Sequence, residues 1–153
     1  MPKPNWAWNS SDYYYMARYV DYVIAMTYDS GMQDGPSYQS WMQDETTHIL
    51  KAVSGAAWNF DEAHPKPTNG VKVLIGLPAF YTQTNAHSPS VENVAHGAPG
   101  TLAGLSLLKP SDQVSLSHFQ GAVMYAHDGG APNSMYARYD EDWAWWKQYW
   151  LRQ

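Results

Sequence analysis

The sequence predicts an α/β fold, with a parallel sheet whose strands are joined through helices. Three observations carry this. First, residues 22–27 and 71–77 are short apolar runs without polar alternation, the signature of strands buried on both faces, and residues 121–125 read as a third strand. Second, helical patterns lie between and around these runs, and strands separated by helices pair in parallel through right-handed crossovers. Third, two strands end alike, in Met26-Thr27-Tyr28-Asp29-Ser30-Gly31 and Met124-Tyr125-Ala126-His127-Asp128-Gly129. Repeated strand–helix units with polar groups at the strand's carboxyl end suit a (β/α)8 TIM barrel, whose active site is built there. A closed barrel takes about 250 residues and the chain has 153. The expectation is therefore one partial barrel domain over residues 1–153, incomplete in this chain.

The elements follow in order. Ser10-Ser11-Asp12 offers cap-type residues ahead of a helix over 13–19. The first strand ends at Asp29-Ser30-Gly31. Asp34-Gly35-Pro36-Ser37 is turn chemistry with a first-turn proline, and a helix follows over about 38–53. Its apolar positions Trp41, Met42, Ile49, Ala52 and Val53 keep a helical period interrupted by Glu45, and Gly55 is a stop signal. Pro65, Pro67, Asn69 and Gly70 make a loop before the second strand, which Pro78 closes. Residues 82–99 are polar and rich in His, Asn, Ser, Gly and Pro, and read as a long loop of the kind that is often functional. A short helix over 101–108 is broken by Lys109-Pro110-Ser111-Asp112, and the third strand ends at Asp128-Gly129-Gly130. Tyr139, Trp143, Trp146 and Trp150 share one face of a last helix, with Asp140, Glu141 and Asp142 in its first turns, where the helix dipole favours them.

Composition narrows the function. A net charge of -5 with nine scattered Lys and Arg argues against nucleic acid, which selects a basic patch. No apolar run approaches the ~20 residues of a membrane span. Met1-Pro2-Lys3-Pro4-Asn5 shows no signal peptide. The absence of cysteine excludes disulfides and thiol catalysis. None of the six His stands in a metalloprotease-type spacing, so no metal and no cofactor is expected; His87 and His96, in the polar stretch, read as solvated. Eight Trp, twelve Tyr and three Phe fill cores and also offer flat faces to sugar rings.

Met26-Thr27-Tyr28-Asp29 at a strand's carboxyl end is the most specific feature. Here the chain resembles the family 18 glycoside hydrolases, the chitinase family, whose sixth barrel strand carries Met-x-Tyr-Asp. Val71-Lys72-Val73-Leu74-Ile75-Gly76-Leu77-Pro78 is similar to the family's seventh strand, which commonly ends Gly-x-Pro with aromatics next. Gly121-Ala122-Val123-Met124-Tyr125 is similar to its eighth. The resemblance spans residues 22–150 and implies the C-terminal part of the barrel, about strands 6 to 8 with their helices. It implies hydrolysis of N-acetylglucosamine-containing β-glycans by a substrate-assisted mechanism, in which the sugar's own acetamido oxygen attacks the anomeric carbon. Tyr28 would orient that acetamido group, and Asp29 would stabilise the positive charge that develops. Met26, Tyr81, Tyr125, His127 and Asp128 would line the sugar subsite. The partners implied are an N-acetylglucosamine oligosaccharide or polysaccharide and the missing N-terminal half of the barrel, with no nucleic acid and no membrane. The family also implies a secreted or periplasmic setting.

Three departures qualify what the resemblance implies. The family's Asp-x-x-Asp-x-Asp-x-Glu, which holds the catalytic acid, occurs nowhere in this sequence. The subsite-floor Trp that usually follows the eighth strand is replaced by Ala126. Phe80-Tyr81-Thr82-Gln83 stands where the family often continues Tyr-Gly-Arg. A glycan-binding barrel without catalysis, lectin-like, is the alternative. Packing roles stay open beside the functional ones: Tyr28 as a barrel aromatic, Asp29 as a turn cap, Asp128 as an Asp-Gly-Gly turn residue, and the Trp143, Trp146 and Trp150 stripe as a helix face packed on the barrel.

Overall fold

The computed structural model describes residues 8–56, 70–79, 83–110 and 112–125. Their elements are α1 (Ser10–Met16), β1 (Tyr22–Met26), α2 (Gly35–Ser54), β2 (Lys72–Pro78), α3 (Val94–Leu108), α4 (Gln113–Leu116) and β3 (Phe119–Tyr125). The three strands form one sheet in the order β1-β2-β3. Both pairings are parallel, with Ile24 opposite Leu74 and Gly76 opposite Val123. The fold is thus mixed α/β with a small parallel sheet.

Local chemistry sets the helix ends. Asn9 and Asp12 form a capping box at the start of α1. The Asp34 carboxylate accepts the Ser37 N–H at 2.8 Å and starts α2 at Gly35, with Pro36 tolerated in the first turn. Gly55 ends α2 in the left-handed conformation, φ 75°. The helix is therefore three residues longer at its start than its apolar period indicates, because the cap and the proline extend it past the buried face.

Val23 and Ala25 of β1 and Val73, Ile75 and Leu77 of β2 meet Tyr38, Met42, Ile49, Leu50 and Val53 of α2 and Val94, Ala98 and Leu108 of α3 in one core. This corrects the expectation that the first strand is buried on both faces. Val23 is 3% exposed, whereas Ile24 is 58% and Met26 70% exposed. Side chains alternate across a strand, and the core helices cover only the face of the odd-numbered β1 residues.

A second correction concerns residues 82–99. The polar loop gives way to helix at Val94, where Asn93 accepts the His96 N–H at 3.1 Å and caps α3. The helix then runs through Pro99. Its glycines are poor helix formers in isolation, yet they allow α3 to lie against α2. A Cβ on Gly104 would stand 2.7 Å from the Gln43 carbonyl oxygen, and one on Gly100 would stand 2.6 Å from Met42 Cβ. Tertiary packing thus overrides propensity. The last helix expected around Trp143, Trp146 and Trp150 lies outside the described residues.

Candidate functional site

The carboxyl end of β1 is held from both sides. The Thr27 hydroxyl donates to the Gly76 carbonyl at 2.7 Å, carrying the pairing one residue past the strand. The buried Tyr38 hydroxyl of α2 donates to the Thr27 carbonyl, also at 2.7 Å; burial pushes this phenol's pKa well above its usual value, with Glu92 and Asp29 adding to the effect. Gly31 N–H reaches across to the Ala86 carbonyl at 2.9 Å. Between these anchors lie Tyr28 and Asp29.

Tyr28 continues the β1 alternation onto the face away from the core helices, and its ring stacks on Tyr125 at the end of β3, centroids 5.1 Å apart and 12° from parallel. Burial, followed by the neighbouring Tyr125 and Asp29, pushes the Tyr28 phenol up to about 12. It therefore keeps its proton at neutral pH. Met26, 70% exposed, and Tyr125, 44% exposed, lie on the same open face. Asp29 has φ 58°, a left-handed backbone that Asp tolerates better than most residues but that is still uncommon. Its side chain is 40% exposed. Burial raises its pKa, His87 pulls it back and Glu92 pushes it up.

Glu92, 1% exposed, sits beneath Asp29. Its Oε2 accepts the Asp29 N–H and contacts His87 Nδ1, each at 2.8 Å. Its Oε1 accepts the Ser30 N–H at 2.8 Å and the Ser30 hydroxyl. Successive backbone N–H groups converging on one carboxylate make an anion-holding concavity. His87, also 1% exposed, faces Asp29 Oδ1 at 3.7 Å as well. Because Glu92 Oε2 is already an acceptor, Nδ1 of His87 carries the proton, by inference from the network.

His87 is therefore buried and paired, not solvated. His96 lies in α3 and is partly buried, its Nδ1 at 2.8 Å from the Val91 carbonyl. Asp29, His87 and Glu92 offer donor atoms within 4.8 Å of one another. A carboxylate has about four lone-pair sites, and four donors already fill those of Glu92. These bonds make the group a hydrogen-bonded clamp around Glu92.

Of the residues singled out in the sequence, Met26, Tyr28, Asp29 and Tyr125 share the carboxyl end of the sheet. Tyr81, Ala126, His127 and Asp128 lie outside the described residues. Glu92 carries no signal in the sequence beyond preceding the α3 cap, and its partners Asp29 and Ser30 lie more than 60 positions away. No protein-family model, no curated protein and no solved structure matches this chain.

Proposed function

We propose that this chain contributes the C-terminal βα units of a (β/α)8 glycosidase that hydrolyses N-acetylglucosamine-containing β-glycans, with the catalytic acid outside this chain. The observation that carries the reading is the pairing of a protonated phenol and a half-exposed carboxylate, Tyr28 and Asp29, at the carboxyl end of a parallel strand, where barrel enzymes hold their chemistry. In this reading the sheet corresponds to strands 6 to 8, and the remaining strands cover the apolar face of Ile24 and Met26. The Tyr28 hydroxyl donates to the acetamido oxygen and aims it at the anomeric carbon. Asp29 accepts from the acetamido N–H and offsets the positive charge that develops as the oxazolinium forms. An acid from outside this chain protonates the leaving oxygen.

A lectin-like reading is favoured by one observation: Ala126 stands where the subsite-floor Trp usually follows the family's eighth strand. The test combines a fluorogenic chitobioside assay on the natural full-length gene product with calorimetric binding of chitotriose. Turnover that Tyr28→Phe lowers by roughly 10- to 1000-fold, the scale of one oriented donor in a preorganised site, supports the glycosidase. Binding without turnover selects the lectin-like reading. Neither binding nor turnover rejects both.

A further inference from the structure

We propose that Glu92 and His87 are positioning residues for Asp29, a buried carboxylate–imidazole pair that holds the Asp29 carboxylate at the mouth of β1 in the orientation a ligand meets. The inference rests on the reading that Asp29 serves a glycan ligand.

The geometry carries it in three steps. Asp29 occupies a left-handed backbone, φ 58°, which costs free energy in a non-glycine residue unless its surroundings hold it. Glu92 holds it, since one carboxylate takes the N–H of Asp29 and the N–H and hydroxyl of Ser30. These are charge-assisted bonds, roughly twice as strong as neutral ones. His87 in turn orients Glu92 through Nδ1 at 2.8 Å, while the same nitrogen lies 3.7 Å from Asp29 Oδ1. The pair therefore sets both the backbone of Asp29 and the charge its side chain meets.

A passive turn has no need of this chemistry. A β-turn closes with backbone bonds alone, whereas here two ionisable side chains, each 1% exposed, stand behind one half-exposed carboxylate. The groups bearing on Asp29 come from every neighbouring element: Tyr28 beside it in the chain, Tyr38 from α2, His87 and Glu92 from the loop before α3, and Tyr125 from β3 stacked against Tyr28. Of these, Glu92 and His87 act on Asp29 in opposite senses, the first raising and the second lowering its affinity for a proton.

That opposition makes the test specific. The Asp29 carboxyl is titrated by 13C NMR in the natural full-length gene product and in its Glu92→Gln and His87→Gln variants. Glu92→Gln removes a like charge and should lower the Asp29 midpoint; His87→Gln removes the compensating partner and should raise it. A purely structural role predicts no such divergence, and midpoints that stay put or move together overturn the proposal. Should Glu92→Gln fail to fold, the wild-type chain still decides. The Asp29 and Ser30 amides should then exchange slowly although neither pairs with a neighbouring strand, and fast exchange of both overturns the clamp. Chitotriose affinity should fall in Glu92→Gln as far as in Asp29→Asn, roughly 10- to 100-fold, the scale of one hydrogen bond to a charged group. Full affinity in Glu92→Gln overturns the positioning role. If the wild-type full-length gene product binds no chitotriose, the ligand reading fails, and the titrations still decide the clamp.

Discussion

Asp29 is costly to the fold in two ways. Its backbone is left-handed, and partial burial raises its pKa, with Glu92 adding to the effect and His87 opposing it. The sign of the resulting pH dependence follows from linkage. A carboxyl whose folded pKa is raised binds its proton more tightly folded than unfolded. Its stabilising contribution is present below the ordinary Asp pKa and is lost as pH rises through the raised value. Asp29→Asn cannot ionise, so the melting-temperature difference between variant and wild type should move in the variant's favour from pH 3 to pH 7. A constant difference across that range refutes the argument. Ionisable groups kept at such a cost cluster at functional sites. Tyr28 and Asp29 were legible in the sequence because a short motif at a strand end carries them. Glu92 and His87 were not, since their meaning arises only when two distant segments fold together and bury them.

At the scale of elements, α2 and α3 illustrate opposite relations between sequence and structure. α2 announces itself through Asp34, Pro36, an apolar period and Gly55. α3 hides its first turns behind Gly97 and Pro99, which read as loop, because its stability comes from contact with α2 and not from propensity. Gly100→Ala should therefore destabilise the chain by about 1–3 kcal/mol, the usual cost of overpacking, although alanine is the better helix former. Denaturant melts check this, and a gain in stability would show that the helices can separate freely. Thr46 provides the contrast within the same pair of helices. It is fully buried and its hydroxyl finds no hydrogen-bond partner among the described residues. Thr46→Val keeps the shape and removes the unsatisfied group, so the same melts should show it neutral or more stable by up to about 1 kcal/mol.

At the scale of the whole molecule, among the described residues, the strand β1 is covered on one face and exposed on the other. Tyr22, Ile24 and Met26 are 62%, 58% and 70% exposed along one strand. A contiguous apolar face of this kind marks an interaction surface or an aggregation liability, and β1, at the edge of the described sheet, carries unpaired backbone groups. The isolated chain should bind the dye ANS and associate in a concentration-dependent way. The double variant Ile24→Thr, Met26→Gln should reduce both effects without loosening the core, because neither side chain reaches the α2 and α3 layer. A sharp two-state melt of a clean, non-associating monomer above ~65 °C, beyond the usual mesophile range, would show that the open face needs no partner.

Taken alone, the sequence determined the α/β class, the three strands and their approximate limits, the main helix with its stop at Gly55, and the motif at the end of β1. All of these rest on signals local to a few consecutive residues: apolar runs, caps, prolines and glycines. Only the tertiary structure decided which face of β1 is buried, that residues 94–99 are helical, and that His87 lies buried against Glu92 beneath Asp29. The physical reason is the same in each case. Periodicity reports that a residue is apolar but not whether a layer stands opposite it, and propensity reports a helix in water but not one held by its neighbour. A carboxylate at position 92 acquires its role only because the fold delivers the N–H groups of residues 29 and 30 to it.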